Sequence, residues 1–247
     1  MRFGVCCSLE NALIALQAGA DYVELPAWPL VKDAEYRKAL HGLPVEAVNL
    51  FLPSGLTLID NYEDCMAHGR AVVEEAEGLG FAVAVVGSGG ARRFPDNEKL
   101  RGFLTFVEAV QTWSRHATTI KIAPESLNRD ETNVGNDLHE LATLLLEKGV
   151  GYTADSYHVL REWRVEGEVE SLDSLWEYQL PTPPTHVHIS DCERRPPAKD
   201  DESIASFLCR LKQLRYDDRM SFECRWDDFA AEVGPAIAQL RSTWELA

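Results

Sequence analysis

Short runs of β-branched and apolar residues recur along the whole chain. Each gives way to a polar turn and then to a longer stretch with apolar residues at helical spacing. Eight such runs, at 3–7, 22–25, 45–50, 82–86, 119–125, 151–155, 186–190 and 220–224, are predicted as strands. Helical patterns fill the intervals, for example 62–79 and 137–148. Eight units in 247 residues leave about 31 residues each, which suits a strand, a helix and two loops.

Alternation of strand and helix forces parallel pairing, because each helix carries the chain back to start the next strand in the same direction. Two architectures share that alternation. A doubly wound open sheet would place a glycine-rich GxGxxG turn after the first strand, but Cys7-Ser8-Leu9-Glu10-Asn11 stands there. The prediction is therefore an α/β fold, a single (β/α)8 TIM barrel forming one domain over 1–247. No Pro/Gly/Ser tract divides the chain, and the densest loop, 193–201, follows the seventh strand, where a barrel carries its working loops.

Composition narrows the range of functions. With 45% hydrophobic residues, disorder and collagen-like repeats are excluded, and the formal charge of -16 repels phosphate backbones and anionic membranes. No Lys/Arg-rich run offsets it, so neither nucleic acid nor membrane is expected as a partner. The six cysteines lack a CxxC pair or the dense spacing of a disulfide scaffold, which predicts reduced thiols. The N-terminal residues contain no apolar signal-like stretch, and no run approaches the ~18 apolar residues of a membrane span. A soluble cytoplasmic protein is expected.

The second half carries the chemistry. Its strands each finish in a metal-capable side chain, Glu125, Asp155, His188 and Glu223, separated by 30, 33 and 35 residues. Those intervals equal one strand-helix unit, so the four groups are expected side by side on the C-terminal rim of the barrel. Residues two apart share a face. Glu125 then aligns with Ala123, Asp155 with Thr153, His188 with His186, and Glu223 with Ser221, while Ile120, Ile122, Tyr152, Ala154, Val187, Ile189, Met220 and Phe222 turn toward the helices. Taken singly, an acidic strand end is usually a helix cap or a solvated loop residue. Three carboxylates crowded into one mouth, however, repel one another unless a cation holds them. Oxygen ligands with a single imidazole suit one divalent ion, Mn²⁺, Mg²⁺ or Co²⁺. His186, one layer deeper, reads as a satisfied core histidine, and Cys224 is expected to face the helices.

These residues sit in the segments Ala123-Pro124-Glu125-Ser126-Leu127-Asn128-Arg129-Asp130-Glu131, Asp155-Ser156-Tyr157-His158, His186-Val187-His188-Ile189-Ser190-Asp191 and Phe222-Glu223. In this order they resemble the xylose isomerase-like TIM-barrel superfamily, in particular the sugar and sugar-phosphate isomerases and epimerases related to ketose 3-epimerases. Gly19-Ala20-Asp21-Tyr22-Val23-Glu24-Leu25 also resembles that family's second strand. The resemblance implies a metal on Glu125, Asp155, His188 and Glu223. It also implies that Glu125 and Glu223 act as the acid/base pair around a metal-stabilised cis-enediolate, and that Glu131, His158 and Arg194 contact the substrate, a small sugar or sugar phosphate. For Arg194 a solvated loop arginine beside Arg195 is the competing reading.

Some positions depart from the family pattern. Pro196-Pro197-Ala198-Lys199-Asp200 replaces the usual Pro-Gly-x-Gly, and Glu125-Ser126-Leu127 stands where Glu-Pro-Leu is commoner, which leaves the substrate open. The loop 86–93, ending in Arg92 and Arg93, reads either as a phosphate-binding nest or as a flexible rim. An apurinic-site endonuclease of the same fold would need extra histidines on the early strands, where Val48-Asn49-Leu50-Phe51 and Val85-Val86-Gly87-Ser88 stand instead. An inosose-type metal-dependent dehydratase and a non-catalytic sugar-binding barrel remain as alternatives. Homo-oligomers are common among such barrels, but the sequence marks no interface.

Overall fold

All eight predicted strands are present in the computed structural model of the protein, which describes residues 1–166 and 171–247. They are β1 (Arg2–Cys6), β2 (Tyr22–Pro26), β3 (Val45–Asn49), β4 (Val83–Val86), β5 (Lys121–Pro124), β6 (Thr153–Asp155), β7 (His186–Ile189) and β8 (Arg219–Phe222). Between them run α1 (Ala12–Gln17), α2 (Ala34–Leu40), α3 (Tyr62–Gly78), α4 (Lys99–His116), α5 (Leu138–Glu147), α6 (Ser156–Glu166), α7 (Leu172–Gln179) and α8 (Glu202–Gln213). The last helix, α9 (Phe229–Leu246), follows β8. The unit after β6 departs from simple alternation in having two helices.

Every strand pair is parallel, in the order β5-β4-β3-β2-β1-β8-β7-β6. The ends of that series meet: Glu125 bridges to Thr153, and the Thr153 hydroxyl donates to the Ala123 carbonyl at 2.9 Å. The fold is thus a (β/α)8 barrel, closed at the β5/β6 seam by a side chain as much as by the ladder.

Strand parity sorts the residues of β5 to β8 as the sequence pattern predicts, and the earlier strands follow the same rule. Val5, Val23, Leu25, Val48, Ile122, Ala154, Val187, Ile189 and Phe222 are buried in the shell between strands and helices. Tyr22, Ala47, Val83, Val85 and Ala123 form a separate, smaller cluster inside the barrel. Burying a Val, Leu or Phe contributes about 1.5–3 kcal/mol, so the outer shell supplies most of the apolar stabilisation. That leaves the inner face free to carry polar groups. Gly4 allows one close approach there, since a Cβ at that position would lie 2.3 Å from the Tyr22 ring.

Part of the acidic excess is structural. Asp33, Asp137, Asp201 and Asp228 each precede a helix and accept a backbone N–H of its first turn. None of the described helices is long and apolar enough to cross a membrane.

Candidate active site

Glu125 and Glu223 each stand one residue beyond their strands, while Asp155 ends β6 and His188 lies within β7. The fold brings all four together. His188 Nδ1 is 3.3 Å from Glu125 Oε2, 3.5 Å from Glu223 Oε2 and 3.9 Å from Asp155 Oδ2. An ion with bonds near 2.1 Å separates neighbouring ligands by about 3.0–3.4 Å, close to these spacings.

The hydrogen bonding of the cluster points the same way. Buried polar atoms almost always have partners. Here Glu125 Oε2, Asp155 Oδ2, His158 Nε2 and His188 Nδ1 are buried with none. Each is held by contacts on its other side. Asp155 Oδ1 accepts the Tyr157 backbone N–H at 2.8 Å at the start of α6, which leaves Oδ2 facing the cluster. The other oxygen of Glu125, Oε1, fits against Gly87, where a Cβ would lie 2.1 Å away.

A second grouping of potential ligands replaces His188 by His158, whose Nε2 is 3.6 Å from Asp155 Oδ2. Its protonation argues against ligation. His158 Nδ1 accepts the Asn128 backbone N–H at 3.1 Å and lies 2.9 Å from the Asn128 amide nitrogen, so the neutral ring carries its proton on Nε2. Burial, reinforced by Arg194, holds His158 well below the usual histidine range and keeps it neutral. It is therefore a hydrogen-bond donor aimed into the site. A third grouping, Cys6, Glu24 and His188, is closed to an ion because Glu24 is already hydrogen-bonded to His188 Nε2.

The carboxylates differ in charge preference. Burial pushes Asp155 well up, and Glu223 and Glu125 add repulsion. Burial likewise raises Glu125, helped by Glu223. For Glu223 burial acts in the same direction but is outweighed by His188 and Arg194, which hold its carboxyl below the usual range. Crowded acids of this kind are what a divalent cation relieves.

Arg194 is not a solvated loop residue. Its Nη2 donates to Glu223 Oε2 at 2.6 Å, its Nη1 to Glu131 Oε1 at 2.9 Å, and its guanidinium lies over the Tyr157 ring at 4.8 Å. The loop is built to present it. Asp191 Oδ1 accepts the N–H groups of Glu193 and Arg195, both at 2.8 Å, and Arg194 itself takes a left-handed φ of 61°. Leu50 and Ser88, after β3 and β4, are also left-handed, so three rim loops carry non-glycine strain. Glu131, with its side chain 37% exposed, reaches the cluster only through Arg194.

In the loop 86–93 the two arginine side chains turn to protein carbonyls. Arg92 is 1% exposed; its guanidinium turns inward to donate to the Glu125 carbonyl at 2.8 Å and stacks over Phe106 at 4.4 Å. Arg93 donates to the Asp130 carbonyl at 3.0 Å. Both arginines brace the segment after β5; Arg92 keeps Nε and Nη1 buried without hydrogen-bond partners.

The sequence pattern also left out Glu24. It is fully buried on the inner face of β2, and it joins His186 and His188 of β7 across the barrel interior. The signal was an acid between Val23 and Leu25 in an otherwise apolar strand.

A family model described as the xylose isomerase-like TIM barrel matches residues 13–244. The chain belongs to that family. Among solved structures, this xylose isomerase-like barrel is similar to the apo form of 3-keto-D-glucoside 4-epimerase YcjR from E. coli. Identity is 20%, covering 98% of this chain and 99% of that one, with a TM-score of 0.75. It is also similar to D-allulose 3-epimerase from Methylomonas sp. in complex with D-allulose (19% identity, 98% and 97% covered, TM-score 0.74). The IolI protein with a bound zinc atom aligns at 17% identity over 98% and 96% of the chains, with a TM-score of 0.67. Identities this low speak for the fold alone. No curated protein sequence matches the chain.

Proposed function

We propose that this barrel is a divalent-metal-dependent isomerase or epimerase of a small neutral sugar. The reading rests on one observation: buried, unpartnered donor atoms of Glu125, Asp155 and His188 converge with Glu223 at the C-terminal mouth. The bound-sugar and zinc-bound relatives named above add support from the same fold.

In this reading Glu125, Asp155, His188 and Glu223 hold the ion. When bound, it supplies Lewis-acid polarisation of the substrate carbonyl and its neighbouring oxygen. The chain's own residues then move the proton. Glu223, kept as a carboxylate by the Arg194 guanidinium bonded to it, accepts a proton from the carbon beside the carbonyl. Glu125, raised by burial, is suited to return one. His158 donates from Nε2 to a substrate oxygen, while Arg194 and Glu131 orient hydroxyl groups at the rim.

Charge at the mouth favours a neutral sugar over a sugar phosphate. Arg194 is paired with Glu131 and Glu223, Arg161 with Asp130, Arg129 with Glu162, Arg164 with Glu193 and Arg195 with Asp227. A phosphate would compete with carboxylates for each of these.

Calorimetric titration of Mn²⁺ into chelator-stripped protein tests the metal. One site per chain is expected, and no binding would overturn the proposal. Screening ketoses and their phosphates for deuterium exchange beside the carbonyl then tests the chemistry, with loss of water from the product marking a dehydratase instead. Glu223→Gln is expected to reduce exchange by at least about 10²-fold with the fold intact. Full activity in that variant would remove Glu223 from its role.

A further inference from the structure

The inner face of β2 holds a carboxylate with no place in the proposed proton transfer. Glu24 is fully buried, and the groups hydrogen-bonded to it come from two strands, β7 and β8. Its Oε1 is 2.8 Å from His188 Nε2, and its Oε2 is 2.8 Å from His186 Nε2. The Ser221 hydroxyl donates to Oε2 at 2.7 Å. With that proton committed, the Tyr22 hydroxyl, 2.8 Å from Ser221 Oγ, is the donor in their bond. Tyr22 reaches Ser221 because Gly4 leaves room for its ring.

These contacts fix a proton arrangement. An ionised carboxylate only accepts, so both imidazoles must present N–H at Nε2. For His188 this leaves the Nδ1 lone pair aimed at Glu125, Asp155 and Glu223. A histidine with the opposite tautomer would point an N–H at the ion. We propose that Glu24 is a positioning residue that sets the tautomer and orientation of His188 from inside the barrel, and so determines how tightly the site holds its metal. The inference rests on the reading that the site holds a divalent ion.

The isosteric change Glu24→Gln isolates this role. An amide has one acceptor oxygen where the carboxylate has two, and its NH2 group faces an imidazole N–H. Three donors, His186, His188 and Ser221, cannot all be served by one oxygen. Loss of an outer-shell partner of a metal-bound histidine typically weakens metal binding by roughly 10- to 100-fold.

The test is Mn²⁺ calorimetry on wild type and Glu24→Gln, beside thermal melts of both metal-free proteins. Roughly 10- to 100-fold weaker binding is expected, with a cooperative melt at a temperature lowered by the unserved buried donor. Affinity within threefold of wild type would overturn the role of Glu24 while leaving the metal site standing. Failure of wild type to bind Mn²⁺ would overturn the metal reading and this inference with it. A second measurement does not depend on the variant folding: ¹⁵N NMR of ring nitrogens in the Mg²⁺-loaded wild type. A proton on His188 Nε2 is expected, and a proton on Nδ1 would refute the proposal.

Discussion

Replacing Gly87 by Ala places one methyl group against the carboxylate that the proposed chemistry needs most. The added Cβ would lie 2.1 Å from Glu125 Oε1 and 3.2 Å from its Cδ. Ordinary contact requires about 3.4 Å, so the oxygen must withdraw by about 1.3 Å. The Glu125 backbone is held by Arg92 on its carbonyl and by its own N–H on the Val86 carbonyl at 3.3 Å, so the side chain yields by rotating its carboxylate away, and the cost falls on the placement of that group rather than on the fold. A displacement of about 1 Å at a reacting group costs roughly 10²-fold in rate, or about 2.7 kcal/mol of barrier. The fold has no reason to suffer. Gly87 is not among the glycines with left-handed φ, and a compatible Gly→Ala change stabilises by about 0.4–1 kcal/mol through the unfolded chain. The expected result is kcat/KM for deuterium exchange about 100-fold lower, weaker Mn²⁺ binding by calorimetry, and a melting temperature equal to or above wild type. Exchange and Mn²⁺ affinity both within threefold of wild type would refute the placement of Glu125 in the reacting cluster.

Two further predictions follow from charge. Arg194→Met removes a charge-assisted hydrogen bond from Glu223, a loss of about 1.5–3 kcal/mol, or about 10- to 150-fold in kcat/KM. Because Arg194 helps hold the Glu223 carboxyl low, the acid limb of the pH–rate profile is expected to move to higher pH in the variant; an unmoved limb would contradict the pairing. Far from the site, Glu77 at the end of α3 accepts the N–H groups of Thr118, Thr119 and Ile120, which lead into β5. Burial opposes its charge, but these bonds prevail and lower it from 4.5 to about 2. A depressed carboxyl stabilises the fold fully above its unfolded value and loses that contribution as pH falls through the folded one. Glu77→Gln is therefore expected to cost about 1–2 kcal/mol at pH 7 after allowance for solvent screening, as read by urea unfolding, with the gap closing as pH drops below about 4.5 toward 2. A gap that did not change with pH would show that the ionised form is not what β5 depends on.

Periodicity was enough for the barrel because each of its terms is local. Alternating runs fixed strand positions to within two residues, and the two-residue parity of β5 to β8 assigned inner and outer faces correctly. The seam between β5 and β6 was beyond that reasoning, since it depends on the Thr153 hydroxyl reaching the Ala123 carbonyl. Arg92 is another residue whose place the sequence could not give. Two arginines after a glycine-rich turn leave an anion site and a rim both open, because the direction of a long side chain is decided by tertiary contacts, here the Phe106 ring and the Glu125 carbonyl.

Two-residue parity on β2 places Glu24 inside the barrel with Tyr22 but does not name its partners. His186 and His188 are on β7, and β1 and β8 lie between. Contacts across the interior depend on barrel closure and on what intervening residues leave empty: Gly4 and Ser221 pair in register, and their small size opens the path from Tyr22 and Glu24 to β7. This accounts for the unequal use of the two halves of the chain. The later strands carry the groups that face the mouth, while the early strands supply the buried carboxylate and the vacant volumes, Gly4 and Gly87, that aim those groups. Substitutions at Gly4, Glu24 and Gly87 that add a methyl or remove a charge are therefore expected to alter metal binding and rate as strongly as changes in Arg194 or Glu131, which pair at the rim of the same cluster.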